Sequence, residues 1–185
     1  MERDVAELID RLGVVTRASR RRAAAAAGLS PAQLDALAYL AACNRFSDTP
    51  AAVALYLDAT RGTTSQSLIA LERKGLIVRE SDREDRRVSH LRPTDAGRAL
   101  LSSLPPDDLG PAVATLGEDA RELGPLLEQV LRSVQRARGG RTFGECGTCR
   151  HLRGASGRYR CGLTDEPLRD DETRLRCVEH GPAAA

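Results

Sequence analysis

The stretch from Thr60 to Leu91, TRGTTSQSLIALERKGLIVRESDREDRRVSHL, constrains the fold more than any other part of the chain. It opens on small polar residues, Thr60 to Ser67, and then becomes apolar at helical spacing through Leu68, Leu71 and Leu76. Gly75 closes that pattern where a helix stops. Ile77 to Glu80 reads as a short strand and Val88 to Leu91 as its partner. Between them lies Asp82-Arg83-Glu84-Asp85-Arg86-Arg87, a charged turn with no apolar residue. Helix, strand, charged loop, strand is the plan of a winged helix-turn-helix. In that plan the helix enters a DNA major groove and the loop lies beside it.

The flanking sequence supplies the other helices. Val5, Leu8, Ile9, Leu12 and Val15 make one apolar stripe on a helix from Glu2 to Ala27, which Gly28 ends. Arg17, Arg20, Arg21 and Arg22 read as its solvated face. Ser30-Pro31 and Thr49-Pro50 are both helix starts, a capping hydroxyl followed by proline at the first helical position. The first opens a helix to about Cys43. The second opens the first half of the helix-turn-helix, with Val53, Leu55 and Leu57; Ala59 to Gly62 is the turn, and the reading helix begins near Thr63. Thr94 caps a further helix to about Ser103, which Pro105-Pro106 interrupts. From Pro111 to Arg138, Leu116, Ala120, Leu123, Leu127, Val130 and Val134 form a heptad seam, with a kink or break expected at Gly124-Pro125. The spacing predicts a mainly α fold with a small β-wing over residues 1–138.

Three pieces of this sequence together resemble the MarR family of bacterial transcription regulators. They are Leu71-Glu72-Arg73-Lys74-Gly75-Leu76-Ile77, the Asp82 to Arg87 loop, and Leu91-Arg92-Pro93-Thr94-Asp95-Ala96-Gly97. The loop is similar to the family's D-x-x-D-R-R wing. The last run is similar to its L-T-x-x-G exit into a helix, with Arg92-Pro93 inserted before Thr94. The resemblance covers roughly Glu2 to Leu101. It implies a homodimer that joins through its terminal helices, binds an inverted repeat in double-stranded DNA and acts as a repressor. By the same resemblance Asp85 and Arg86 shape the wing, while Arg83 or Arg87 reaches the minor groove.

Composition adds bounds. With 185 residues the chain is long enough for one ordinary domain and a small appendage. A hydrophobic content of 41% supports a core, and an aromatic content of 3% makes that core one of Leu, Ala and Val. All the basic residues except Lys74 are arginine, which suits phosphate and guanine. A net charge of +2 does not by itself mark a DNA-binding protein; the local pattern does. No bilayer-length apolar run or signal-peptide core is visible, so a cytoplasmic protein without membrane association is expected. Major-groove contacts come mainly from the start of a recognition helix. Arg61, Thr63, Thr64, Ser65 and Gln66 are therefore the expected base-reading group, with Arg83, Arg86 and Arg87 on the wing.

Beyond the hinge at Arg138 to Arg141 the character changes. Residues 143–181 hold Cys146, Cys149, Cys161 and Cys177 with His151 and His180. Cys146-Gly-Thr-Cys149 is a knuckle spacing, and few apolar side chains accompany it. A segment so small needs a staple, and in a reducing cytosol a metal is the natural one. Four thiolates, or Cys146, Cys149 and Cys177 with His180, satisfy tetrahedral zinc. An iron–sulfur cluster on the same cysteines remains open. Arginines and acidic residues balance here, so the module is expected to sense or to brace rather than to bind DNA. Cys43 reads as a buried inert thiol.

No nucleophile-with-base motif, P-loop or dinucleotide fingerprint is present, so an enzyme is not expected. A metalloenzyme would need an open coordination position, which an all-cysteine site lacks. A protein-interaction module without DNA binding would not need both the polar helix start and the arginine wing. A small-molecule or redox effector completes the expected set of partners.

Overall fold

The computed structural model describes residues 2–82, 85–155 and 157–183, excepting the side chains of residues 2 and 3. Helix α1 spans Glu2–Ala26 and stops at Gly28, whose φ of +64° is the left-handed turn expected there. Helix α2, Pro31–Ala42, carries a full capping box: Ser30 Oγ accepts from the Gln33 amide, and Gln33 answers to the Ser30 amide. Helix α3, Pro50–Tyr56, is capped by Thr49. Helix α4, Arg61–Arg73, opens two residues before the expected Thr63 because Thr60 is its cap, accepting from the Thr63 amide. Strands β1, Ile77–Ser81, and β2, Ser89–Pro93, pair antiparallel with Ile77 opposite Pro93 and Arg79 opposite Leu91. The order three helices, reading helix, hairpin is the winged helix expected from the sequence.

The core is aliphatic with one aromatic exception. Leu34, Leu37, Leu40, Val53, Leu68, Leu71, Ile77 and Leu91 are buried together. The largest fully buried side chain is nevertheless Tyr39, which stacks against Tyr56 at 4.5 Å between centroids. Phe143 meets the edges of both rings. Most of the few aromatic residues are thus gathered where the last segment meets the helix-turn-helix, a placement composition alone does not reveal.

Helix α5, Asp95–Ser103, is followed by the proline break, then by α6, Leu109–Ala114, and α7, Asp119–Ala137. The expected single helix is therefore split, but at a different point. It breaks at Gly117, which has φ +56°, and α7 runs through Pro125. The apolar faces of α1 and α7 stay exposed in the single chain, including Leu8, Leu12, Leu127, Val130 and Val134. No helix among the described residues is long and apolar enough to cross a membrane.

The last segment is a compact β unit. Strand β3, Gly144–Glu145, pairs with β7, Arg176–Cys177. Strands β4, Leu152–Ala155, β5, Arg158–Cys161, and β6, Pro167–Leu168, form a second antiparallel sheet. This unit is docked on the winged helix. Val178 belongs to the same buried cluster as Leu37 and Leu68.

The exit from the wing shows why glycine stands at position 97. Thr94 N donates to Leu76 O at 3.0 Å, and Thr94 Oγ1 donates to Gly75 O at 2.7 Å, pressing the first turn of α5 onto the end of α4. A Cβ on Gly97 would fall inside the contact distance of the Leu76 carbonyl, a backbone atom that cannot swing aside. Gly97→Ala is expected to destabilise the fold by about 1–3 kcal/mol through overpacking. Denaturant unfolding measures this, and an unchanged midpoint would contradict the packing described.

Candidate functional site: a nucleic-acid interface and a cysteine cluster

The first turns of α4 present Arg61, Thr63, Ser65 and Gln66 to solvent, as expected for a reading face. Thr64 does not join them. It is buried at 3% exposure and its hydroxyl has no partner, because helical periodicity places it with Ser67, Leu68 and Leu71 on the inward face. Thr64 is thus a packing residue, and the expected base contact is corrected. Thr63 is exposed, but its hydroxyl lies 2.9 Å from that of the cap Thr60.

The wing turn is built by aspartates. Asp82 Oδ1 accepts from the Asp85 amide at 2.7 Å, and Asp82 N donates to Val88 O at 3.0 Å. Asp85 accepts from Arg87 through Nε at 2.9 Å and Nη2 at 3.0 Å. That pairing holds the Asp85 carboxyl below the usual carboxylate range. Arg86 and Arg87 are exposed, whereas Arg83 lies outside the described residues.

Beneath the wing sits a residue to which the sequence assigned no role. His90 Nδ1 is 2.5 Å from Asp48 Oδ1, and its Nε2 is 3.1 Å from Asp82 Oδ2. The Asp48 bond, supported by Asp82, raises the His90 pKa above its ordinary value. Burial pushes Asp48 upward as well, against the pull of His90. Two carboxylates on opposite nitrogens favour the protonated ring, and that direction decides the pair.

The cysteine cluster lies against the loop between α2 and α3, the loop that also carries Asp48. Cys146 and Cys149 are joined by a single helical turn, Cys146–Thr148, with Cys149 N donating to Cys146 O at 3.0 Å. The β4–β5 pairing sets Cys161 opposite Leu152. Gly162 follows because its amide donates to His151 O at 2.7 Å, so close that a Cβ would crowd that carbonyl. All four cysteines line one cavity of about 40 Å³ together with Phe46 and His151. The nearness of Cys146 and Cys177 drives their thiol pKa values apart, pushing Cys146 up and drawing Cys177 below its ordinary range. Among the described residues no group of three or more Cys, His, Asp or Glu side chains is arranged to hold an ion as they stand. The four thiols share a cavity without closing on a common point.

His180 is not among the residues lining that cavity. Its Nε2 lies 3.0 Å from Thr148 Oγ1, its Nδ1 is buried without a partner, and its ring packs on Gly144. Cys43 is buried, and burial pushes its thiol up to about 12, in keeping with an inert thiol. Elsewhere a cleft of about 880 Å³ opens between α1, α2 and α5, with Arg17, Arg20, Leu34 and Leu104 on its walls.

The contacts that join cluster and winged helix were not foreseen. Asn44 Nδ2 donates to Cys146 Sγ at 3.2 Å, Asn44 N donates to Arg176 O at 2.9 Å, and Val178 N donates to Ser47 Oγ at 2.8 Å. Arg45 binds Glu172 and, at 3.2 Å, Glu166. Nothing local in Asn44-Arg45-Phe46-Ser47-Asp48 points to partners 102 and 131 residues away.

The His90 geometry has a pH consequence. Because its folded pKa is raised, its contribution to stability is fully present below the unfolded value of about 6.5. It is lost as pH rises through the folded value. His90→Gln is expected to remove that slope from a series of urea midpoints taken between about pH 5 and 8. A wild-type midpoint that does not fall across the upper part of this range would refute the protonated bridge.

The comparisons agree with this architecture. Residues 27–88 match a family model described as MarR family. A MarR-family transcriptional regulator from Silicibacter pomeroyi is 26% identical over 70% of this chain and 89% of its own, with a TM-score of 0.58. A point mutant of MepR from a multidrug-resistant S. aureus clinical isolate is 26% identical over 70% of this chain and 97% of its own, with a TM-score of 0.53. S. aureus MepR solved with DNA is 24% identical over 69% of this chain and 96% of its own, with a TM-score of 0.55, a likeness of fold. No curated protein matches the chain. Over residues 27–88 the chain is thus similar to the MarR family, and its winged-helix fold is shared with solved regulators of that family.

Proposed function

We propose that the protein is a sequence-specific DNA-binding transcriptional repressor that acts in the cytoplasm as a homodimer on an inverted-repeat operator. The observation that carries this reading is the pairing of two exposed surfaces. One is the start of α4, with Arg61, Thr63, Ser65 and Gln66; the other is the arginine wing, with Arg86 and Arg87. MepR, which shares the fold, has been solved in complex with DNA. The open apolar faces of α1 and α7 suit a second copy, which would bring two reading helices to half-sites about one helical turn apart. The cleft between α1, α2 and α5 is large enough for a small-molecule effector.

Gln66 is the residue best placed to read a base, since its amide suits adenine in bidentate fashion. Gln66→Ala is expected to cost roughly 1–3 kcal/mol at one base position and to relax preference there. Binding titrations against a duplex series varied base by base measure it. Equal weakening on every duplex would exclude base reading by Gln66.

The cysteine module reads best as a zinc site held by Cys146, Cys149, Cys161 and Cys177. Their common cavity supports that set over one using His180, whose ring points to Thr148 and Gly144. Closing four thiolates on one ion can contribute an apparent ~10–16 kcal/mol to a module of this kind. Anaerobically purified protein is expected to be colourless with one zinc per chain, and Cys161→Ser to lose most of it. A brown protein would replace zinc with an iron–sulfur cluster. Full zinc in Cys161→Ser would return His180 to the ligand set.

A further inference from the structure

The loop between α2 and α3 touches both the cysteine cluster and the DNA-reading elements, and its polar groups are used on both sides. On the cluster side, Asn44 donates to the Cys146 sulfur, and Ser47 Oγ holds the amide of Val178, the residue after Cys177. Phe46 forms part of the cavity wall, and Arg45 donates to Pro167 O at 2.7 Å. On the DNA side, Asp48 O accepts from Leu91 N of β2 at 2.8 Å. The Asp48 carboxylate holds His90, which reaches Asp82 at the root of the wing turn. Thr49, next in the chain, caps α3 by accepting from the Ala52 amide at 3.3 Å. Asn44, Ser47 and Asp48 are all buried, at 5% exposure or less, so none can exchange a lost partner for water without moving.

We infer that the four-cysteine site governs DNA binding through the Asn44–Asp48 loop, with zinc as the controlling ligand. This rests on the zinc reading above. The coupling follows from shared partners. Donors to a metal-bound sulfur orient the ligand and are themselves ordered by it. With zinc bound, the Asn44 amide points at a thiolate, and that charge-assisted bond is stronger than one to a neutral thiol. The ion also closes the β3–β7 pair, fixing Arg176 O and Val178 N against Asn44 and Ser47. Without the ion the unit keeps its seat through Val178, Phe143 and the Arg45 ion pairs, but Cys146 and Cys177 are no longer clamped together, so the Asn44 and Ser47 bonds beside them loosen. The α3 cap and the wing root, both attached to Asp48 and Thr49, then lose their fixed spacing. Zinc loading therefore favours the DNA-binding arrangement and zinc loss weakens it. The connection runs through the loop, not through α7 as the chain order would suggest.

The test uses the full chain and a DNA duplex selected from a randomised pool by the zinc-loaded protein. Stripping zinc with a chelator is expected to weaken binding to that duplex about tenfold, a typical coupling between sites. Amide exchange is expected to rise at Ser47 to Val53 and at Leu91, while Leu37 and Leu68 keep their protection. Ser47→Ala leaves the four cysteines and their Asn44 donor in place. It is expected to keep its zinc while its DNA affinity no longer responds to the chelator. A stripped wild-type chain that binds DNA as before, with unchanged exchange in the loop, would overturn the coupling and leave the zinc site standing. Loss of protection at Leu37 and Leu68 on stripping would also overturn it, showing an ion that holds the whole chain. A chain that takes up no zinc would remove the zinc reading and this inference with it.

Discussion

Burial of a polar loop is the constraint on which much of this structure depends. Asn44, Ser47 and Asp48 lie inside the protein, where each unpaired donor or acceptor costs about 1–3 kcal/mol. Their partners come from four places: Tyr39 on α2, Leu91 and His90 on β2, Cys146, and the backbone at Arg176 and Val178. The Tyr39 hydroxyl donates to Ser47 O at 2.9 Å, which lets the largest buried side chain sit in an aliphatic core without an orphaned polar atom. Remove any one of these suppliers and a buried group is left over. Helix-turn-helix, wing and cysteine unit are thus tied to one another at a single place.

The same logic separates what sequence shows from what it hides. Helix starts were legible because they announce themselves locally: Ser30 and Thr49 are each followed by proline, and Thr94 is a capping hydroxyl directly after Pro93. The wing was legible because a charged turn between two short apolar runs has few other uses. Thr64 was misplaced because position along a helix start says little about which side faces inward until the packing is known. The break at Gly117 was hidden by the more conspicuous Gly124-Pro125. The docking of the cysteine unit was beyond reach: Asn44 and Cys146 stand 102 residues apart, and neither carries a local signal for the other. The cysteine spacing did announce that these thiols would gather, and they line one cavity.

Charge follows the same pattern of prior commitment. Arg87 is exposed yet already paired with Asp85 on the wing turn. Arg45 turns its guanidinium to Glu172 and Glu166, holding the cysteine unit instead of facing solvent. Arginine content alone therefore overstates how much positive surface is free, as these two committed arginines show.

The bond between Val178 and Ser47 also bears on how the chain is made. The two residues are separated by 131 positions, yet Val178 fills the same core as the early helices. Domains ordinarily begin folding as they leave the ribosome, at about 5–20 residues per second. Here the helix-turn-helix emerges several seconds before the residue that completes its interior. During that interval Ser47 and Asn44 lack their partners, and the aromatic pair Tyr39–Tyr56 lacks the Phe143 edge. A nascent chain in that state is a natural client for chaperones, and messages cut short within the last segment would yield a winged helix with an open flank.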